Sequence, residues 1–173
     1  GFAMLWEIDL HPRSTGDDRL AASVRADARD LRIAERLGVA SAHGYLLEGS
    51  ELGASQVAAL ARDLLADVVV EEFMAAPSDD VGLQSPPSRW SGEQGDPRLV
   101  YVLPKPGVMD PVAQSATDAI RAGGQTIDAV RTLRKYWIAG LDDEQLQMLT
   151  TRVLANDAIE DAYFDSLPLQ TLE

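Results

Sequence analysis

Lys105, Arg131, Arg134 and Lys135 are the side chains whose type and spacing could do chemistry, because they gather positive charge on a chain with 28 acidic and 15 basic residues and a formal charge of −13. Such a group can contact an anion or an acidic partner surface, or be spent in ordinary surface ion pairs. If residues 130–138 form a strand, Arg131 and Lys135 share one face and Arg134 lies on the other, so the three cannot meet one ligand directly. Lys105 precedes a helix start and is the best single candidate for contact with a partner. The four are expected to form a partner interface, not a catalytic centre.

The remaining reactive groups are few. His11 and His43 are the only histidines; neither has a second ligand candidate nearby, so both are expected to be solvent-facing or at strand ends. Asp17-Asp18, Glu71-Glu72 and Asp142-Asp143 resemble paired carboxylates, but the first and last fit helix N-termini, where negative charge meets the positive end of the dipole. Cysteine is absent, which excludes disulfides, thiolate metal sites and a cysteine nucleophile. There is no glycine-rich phosphate loop and no carboxylate cluster with metal-ligand spacing. No catalytic, cofactor-binding or metal-ligating residue is therefore assigned, and the chain alone is expected to carry out no catalysis.

Composition narrows the partners. A hydrophobic share of 46% with 25% charged residues is the balance of a globular protein and not of a disordered one. The acidity disfavours nucleic acid and anionic membrane surfaces. RNA binding on a sheet would need aromatic pairs on one face, whereas Tyr136 and Trp137 are adjacent in a strand and point to opposite faces. No apolar run approaches the length of a membrane span, and a cytoplasmic protein is expected.

The elements that must position these groups follow from periodicity. Met4, Trp6, Ile8 and Leu10 alternate with Leu5, Glu7, Asp9 and His11, the period of a strand with one buried face. Asp17 and Asp18 offer N-cap chemistry to a helix with Leu20, Val24, Ala28 and Leu31 on one stripe. Residues 39–47 read as a second strand. Ser55 caps a helix bearing Val57, Leu60, Ala61, Leu64 and Leu65, and the β-branched run at residues 68–70 predicts a third strand. Between Pro77 and Pro97, four prolines and three glycines break every period and mark a linker; Trp90 inside it could anchor the linker. Past it the order returns: a strand at residues 99–103, a helix opened by Asp110-Pro111 and stopped at Gly123-Gly124, a strand at 130–138, a helix opened by Asp142-Asp143, and a strand at 158–164.

Residues also match between the halves. Leu65, Ala66, Asp67, Val70, Glu71 and Glu72 pair without a gap with Leu154, Ala155, Asn156, Ile159, Glu160 and Asp161; Val39, Tyr45 and Gly49 pair with Val130, Tyr136 and Gly140. The expected organisation is an internal duplication: a first unit at residues 3–76, a linker at 77–98, a second unit at 99–165 and a tail at 166–173. The expected class is α+β, each unit a small, mostly antiparallel, ferredoxin-like sheet with two helices on one face. The two are expected to pack about a pseudo-twofold, because a unit this small leaves apolar surface that its twin can cover.

The second half resembles the small PurS-type subunit of phosphoribosylformylglycinamidine synthase. The likeness rests on residues 100–111 (Val-Tyr-Val-Leu-Pro-Lys-Pro-Gly-Val-Met-Asp-Pro), on Val130, Arg131 and Lys135, and on residues 154–161 (Leu-Ala-Asn-Asp-Ala-Ile-Glu-Asp). The first half looks like a diverged copy without the Lys-Pro-Gly and Asp-Pro signatures. The resemblance implies a non-catalytic assembly and ammonia-channelling module, similar to a PurS-type dimer made covalent, as a separate subunit or the N-terminal region of a large synthetase. Its implied partners are a PurL-type synthetase body and a PurQ-type glutaminase, with ATP and Mg in the synthetase and no cofactor in this chain. The alternative is a regulatory small-molecule-binding domain made of paired α/β units.

Overall fold

A computed structural model describes residues 4–172, so the expected unit start at Ala3 and tail end at Glu173 lie outside the described residues. Six strands form one sheet: β1 (Met4–Pro12), β2 (Gly38–Gly49), β3 (Glu71–Pro77), β4 (Arg98–Pro104), β5 (Ala129–Ala139) and β6 (Glu160–Phe164). Their order is β3-β1-β2-β5-β4-β6, with every neighbouring pair antiparallel. Four α-helices accompany them: α1 (Arg19–Asp30), α2 (Ala54–Leu60), α3 (Pro111–Ala122) and α4 (Asp143–Leu149). The fold is thus α+β, and its central seam, β2 against β5, joins the two halves of the chain from Gly38↔Ala139 to Glu48↔Ala129.

The two twelve-residue helices begin where their capping chemistry dictates. Asp18 accepts from Ala21 N at 3.0 Å, and Asp110 accepts from Ala113 N at 3.1 Å, with Pro111 filling a position that needs no N–H donor. Past α3 the chain turns through Gly124 at φ +91°, a left-handed conformation; at the matching place after α1, Arg32 adopts φ +58°. α2 and α4 each run into a π-helical turn, Ala61–Leu65 and Thr150–Leu154. Gly53, not Ser55, opens α2, with Gln56 Oε1 accepting from Gly53 N at 3.1 Å.

The helices serve both halves. One core joins Ala21, Val24 and Ala28 of α1 to Val100 and Val102 of β4, Tyr136 and Ile138 of β5 and Leu146 and Leu149 of α4. A second joins Ala116 and Ile120 of α3 to Trp6, Ile8 and Leu10 of β1 and Val57 and Leu60 of α2. Each first helix therefore packs on its own half's second strand and also on strands of the other half. The opposite sheet face carries a third core, with Leu46, Tyr101, Leu103, Leu133 and Trp137, and among the described residues no α-helix covers it: Trp90 of the linker and Leu167, Leu169 and Leu172 of the tail pack on it, beside a 3-10 turn of the linker at Val81–Gln84.

Two sequence expectations are corrected. The valines at residues 68–70 do not form a strand. They lie in an exposed turn in which Asp67 Oδ1 accepts from Val69 N, and β3 begins only at Glu71. The same turn recurs where Asn156 Oδ1 accepts from Ala158 N, so β6 begins at Glu160 and not at 158. In both places a local side-chain turn overrides the β preference of the residues that follow. The second correction concerns the polar face of β1: Glu7 and Asp9 are fully buried, because the linker lies over them.

Candidate functional site

Glu7, Asp9 and His11 stand at alternate positions of β1 and so project to the linker-covered face. Lys135 of β5 opposes Ala42 across the seam, and Asp9 opposes Gly44. These two small residues on β2 leave a path along which the lysine reaches β1. The Gly44 position admits nothing larger, since a Cβ there would lie 1.9 Å from the Ile8 carbonyl oxygen. Lys135 Nζ donates to Glu7 Oε2 at 2.8 Å, Asp9 Oδ2 at 2.6 Å and the Leu83 carbonyl at 2.5 Å, and lies 4.9 and 5.2 Å from the ring centroids of Tyr101 and Trp137. Three N–H donors meet three acceptors, with two aromatic faces closing the cage.

The electrostatics of this cluster are set by burial. Burial alone would lower the Lys135 pKa, but Asp9, Glu7 and Tyr101 outweigh it and hold the ammonium charged. Burial pushes the Glu7 carboxyl well above the usual carboxylate range, and Asp9 adds to that by repulsion and by a hydrogen bond to the protonated form. The second oxygens of the pair, Glu7 Oε1 and Asp9 Oδ1, are buried and no N–H reaches them. His11, stacked on Trp137 at 5.5 Å, is pushed down in pKa mainly by burial. A charged, fully engaged and sealed ammonium is no nucleophile. The cluster ties β1, β5 and the linker together.

The linker is bound at two further points. Trp137 Nε1 donates to the Gln84 carbonyl at 2.9 Å. Arg89 donates to the carbonyls of Pro12 and Ser41 and to Asp18 Oδ2, the latter two at 2.9 Å. Beside Arg89, a cleft of about 230 Å³ is lined by Arg25, Trp90 and Glu93, among others.

On the helix-covered side, two small depressions flank the centre of the seam at the starts of α1 and α3. One, of about 160 Å³, is lined in part by Pro12, Leu20, Ser41 and His43; the other, of about 170 Å³, by Pro104, Val112, Thr132 and Arg134. These residues match pairwise between the halves. His43 and Arg134 are also register partners across the seam. Each is engaged within its own half: His43 Nε2 with Glu71 at 2.5 Å, Arg134 with Glu160 at 2.7 Å. Leu20 and Val112 remain exposed, as does Met109 at 84%. An apolar rim thus surrounds polar groups that are already paired.

The four cations of the sequence-based interface are not brought together. Lys105 is partly exposed and pairs with Asp161 at 3.2 Å. Arg131 donates to the Pro104 carbonyl. Arg134 lies on the helix side, bound to Glu160, the Leu154 carbonyl and Tyr136. Lys135 is 0% exposed and spends its charge internally. Sequence reasoning passed over Glu7 and Asp9, although two carboxylates at alternate positions of one strand, with a lysine followed by aromatic residues on another, were a usable signal.

Among the described residues no group of three or more His, Cys, Asp or Glu is placed to hold a metal ion, and no helix is long and apolar enough to cross a membrane. No protein-family model matches the chain, and no curated protein matches it.

Proposed function

We propose that the chain is a non-catalytic assembly and ammonia-channelling module of phosphoribosylformylglycinamidine synthase, in which two ferredoxin-like, PurS-like units on one chain stand for a dimer. On this reading it is cytoplasmic and bridges a PurL-type synthetase body and a PurQ-type glutaminase. The complex would convert formylglycinamide ribonucleotide, glutamine and ATP to the amidine, glutamate, ADP and phosphate, with ATP and Mg bound in the synthetase.

The observation that carries the reading is the repeat of interactions between the halves. Asp18 caps α1 and accepts from Ser41 N and Oγ; Asp110 caps α3 and accepts from Thr132 N and Oγ1. His43–Glu71 matches Arg134–Glu160, and Arg13–Glu72 matches Lys105–Asp161. Of the residues of the family likeness, Lys105, Asp110, Glu160 and Asp161 take part in these contacts in the second half, with Thr132 and Arg134 from outside it. A duplication with a pseudo-twofold through the His43–Arg134 pair accounts for them together.

The test is co-purification of the tagged chain with a PurL-type synthetase and a PurQ-type glutaminase from the same source. Retention of at least one is expected, and Val112→Glu should reduce it. Loss of both partners from the unvaried chain would sink the reading. The cleft beside Arg25, Arg89 and Trp90 favours the second reading, a regulatory small-molecule-binding domain. Calorimetry with glutamine, ATP and purine nucleotides separates the two, since the assembly reading expects no tight binding to this chain.

A further inference from the structure

The sheet face without α-helices has two covers, and they are held in different ways. The linker is fastened by buried polar bonds from Lys135, Trp137 and Arg89, and its Leu83 is 1% exposed. The tail is laid on. Leu167, Leu169 and Leu172 point alternately toward the face and remain only partly buried, while Pro168, Gln170 and Thr171 are exposed. Its polar anchor is Glu48, which accepts from Leu172 N at 2.7 Å and from Thr171 Oγ1 at 3.4 Å.

The tail enters this position through Asp165, a non-glycine residue at φ +69°. That left-handed conformation is disfavoured for a side chain with a Cβ. It is held by Arg98, whose Nε and Nη2 donate to the two carboxylate oxygens at 3.0 and 2.9 Å, and by Asp165 N donating to the Leu99 carbonyl at 2.7 Å. The Arg98–Asp165 pair is itself largely exposed. A weakly buried segment leaving a strained hinge can lift without unfolding the sheet beneath it.

We propose that residues 167–172 are a displaceable strap, and that the apolar sheet face beneath them is a docking surface for an extended segment of a partner chain. The occupant is defined by the strap's chemistry: leucine-type side chains at Leu-x-Leu-x-x-Leu spacing, and a backbone N–H presented to the Glu48 carboxylate. Recognition would follow the strap's own pattern, with alternate side chains on the face giving specificity. The inference does not depend on the amidotransferase reading and survives its failure.

The experiment uses the full chain with Leu167→Ser, Leu169→Ser and Leu172→Ser combined, and a fluorescent peptide copying residues 165–172. Anisotropy titration should show saturable binding to this variant and about tenfold weaker binding to the unvaried chain, as expected if a strap at an effective concentration near a millimolar competes with a peptide of Kd about 100 μM. A peptide with its three leucines replaced by serine should not bind. Leu169→Ser alone, which loosens the strap and leaves the face and Glu48 intact, should raise peptide binding to the chain and supplies the test if the triple variant does not fold. The proposal is overturned if the folded triple variant, or Leu169→Ser in its place, binds no more peptide than the unvaried chain. It is equally overturned if the triple variant sediments as a dimer and ignores the peptide, since the face would then close on a second copy.

Discussion

The two halves agree at the starts of their helices and disagree on the face the linker covers. The agreement extends to individual hydrogen bonds: Asp67 N donates to Glu71 as Asn156 N does to Glu160, and Arg13 N donates to the Val70 carbonyl as Lys105 N does to that of Ile159. The disagreement is concentrated. Where the second half has Leu99 and Tyr101 on β4, the first has Glu7 and Asp9 on β1; where the first has Gly44 on β2, the second has Lys135 on β5. Interactions that build a half are made twice. Interactions that seat a covering segment are made once, because the linker passes over the fold a single time.

The sharpest way to break this comparison is to remove the unshared charge. Lys135→Met leaves Glu7 and Asp9 buried without their cation and should cost about 3–5 kcal/mol in a denaturant titration. Adding Glu7→Leu and Asp9→Tyr, which gives the first half the residues of the second, should recover most of that loss. If the triple variant is no more stable than Lys135→Met alone, the cluster is not the self-contained unit described here.

Gly44→Ala should cost about 3 kcal/mol or more, because its Cβ meets the Ile8 backbone oxygen while the matching position in the second half carries a lysine. A midpoint shift below about 1 kcal/mol would show that β1 and β2 can move apart there. Next come the twin caps. Asp110→Ala should cost about 1–2 kcal/mol, the range for a lost N-cap. Asp18→Ala should cost more, since it also strands the nearly buried Arg89, 12% exposed at its side chain. Equal losses would remove the linker from the account of Asp18.

The smallest effect is a pH dependence of opposite sign in the two halves. The Glu7 carboxyl is raised by burial, so its contribution is full below the ordinary glutamate pKa and is lost as pH rises through the folded value. Glu160 is pushed up by burial, but the Arg134 guanidinium and the Asn156 N–H outweigh that and hold it below the ordinary value. Its contribution is present above the usual glutamate range and is lost as pH falls through the folded value. Urea midpoints measured between about pH 4 and 8 should fall less steeply with rising pH in Glu7→Gln than in the unvaried chain. An unchanged slope would mean that Glu7 is ionised in the fold.

Much of the fold was legible because it rests on local rules. Asp110-Pro111, Gly123-Gly124 and the alternation from Met4 to Leu10 fixed α3 and β1 within a few residues, and the likeness of the turns before β3 and β6 was visible at residues 65–72 and 154–161. The third and sixth strands were placed early, because the Asx-type turns at Asp67 and Asn156 are set by one side chain among residues that otherwise favour strands. The Lys135 cluster was hidden for a different reason. Its partners lie 126 and 128 residues away, and only the sheet order β1-β2-β5 brings them into reach. The placement of Arg131 and Lys135 on one face was correct as periodicity. What covers that face is a tertiary fact.

The packing of α1 across the seam also sets the order in which the molecule can form. The apolar stripe of α1 is finished at Asp30 and β2 at Gly49, but the other strands that share its core, β4 and β5, are complete only at Ala139. At synthesis rates of about 5–20 residues per second, that interval is on the order of 5–20 s. A growing chain therefore presents α1 only partly covered, by β2, until residue 139 has left the ribosome, and the contacts that finish burying it are long-range, which slows folding. The nascent chain is an expected client of chaperones that bind exposed apolar helices, and rare codons after residue 60 would lengthen that exposure more than the same codons before residue 20.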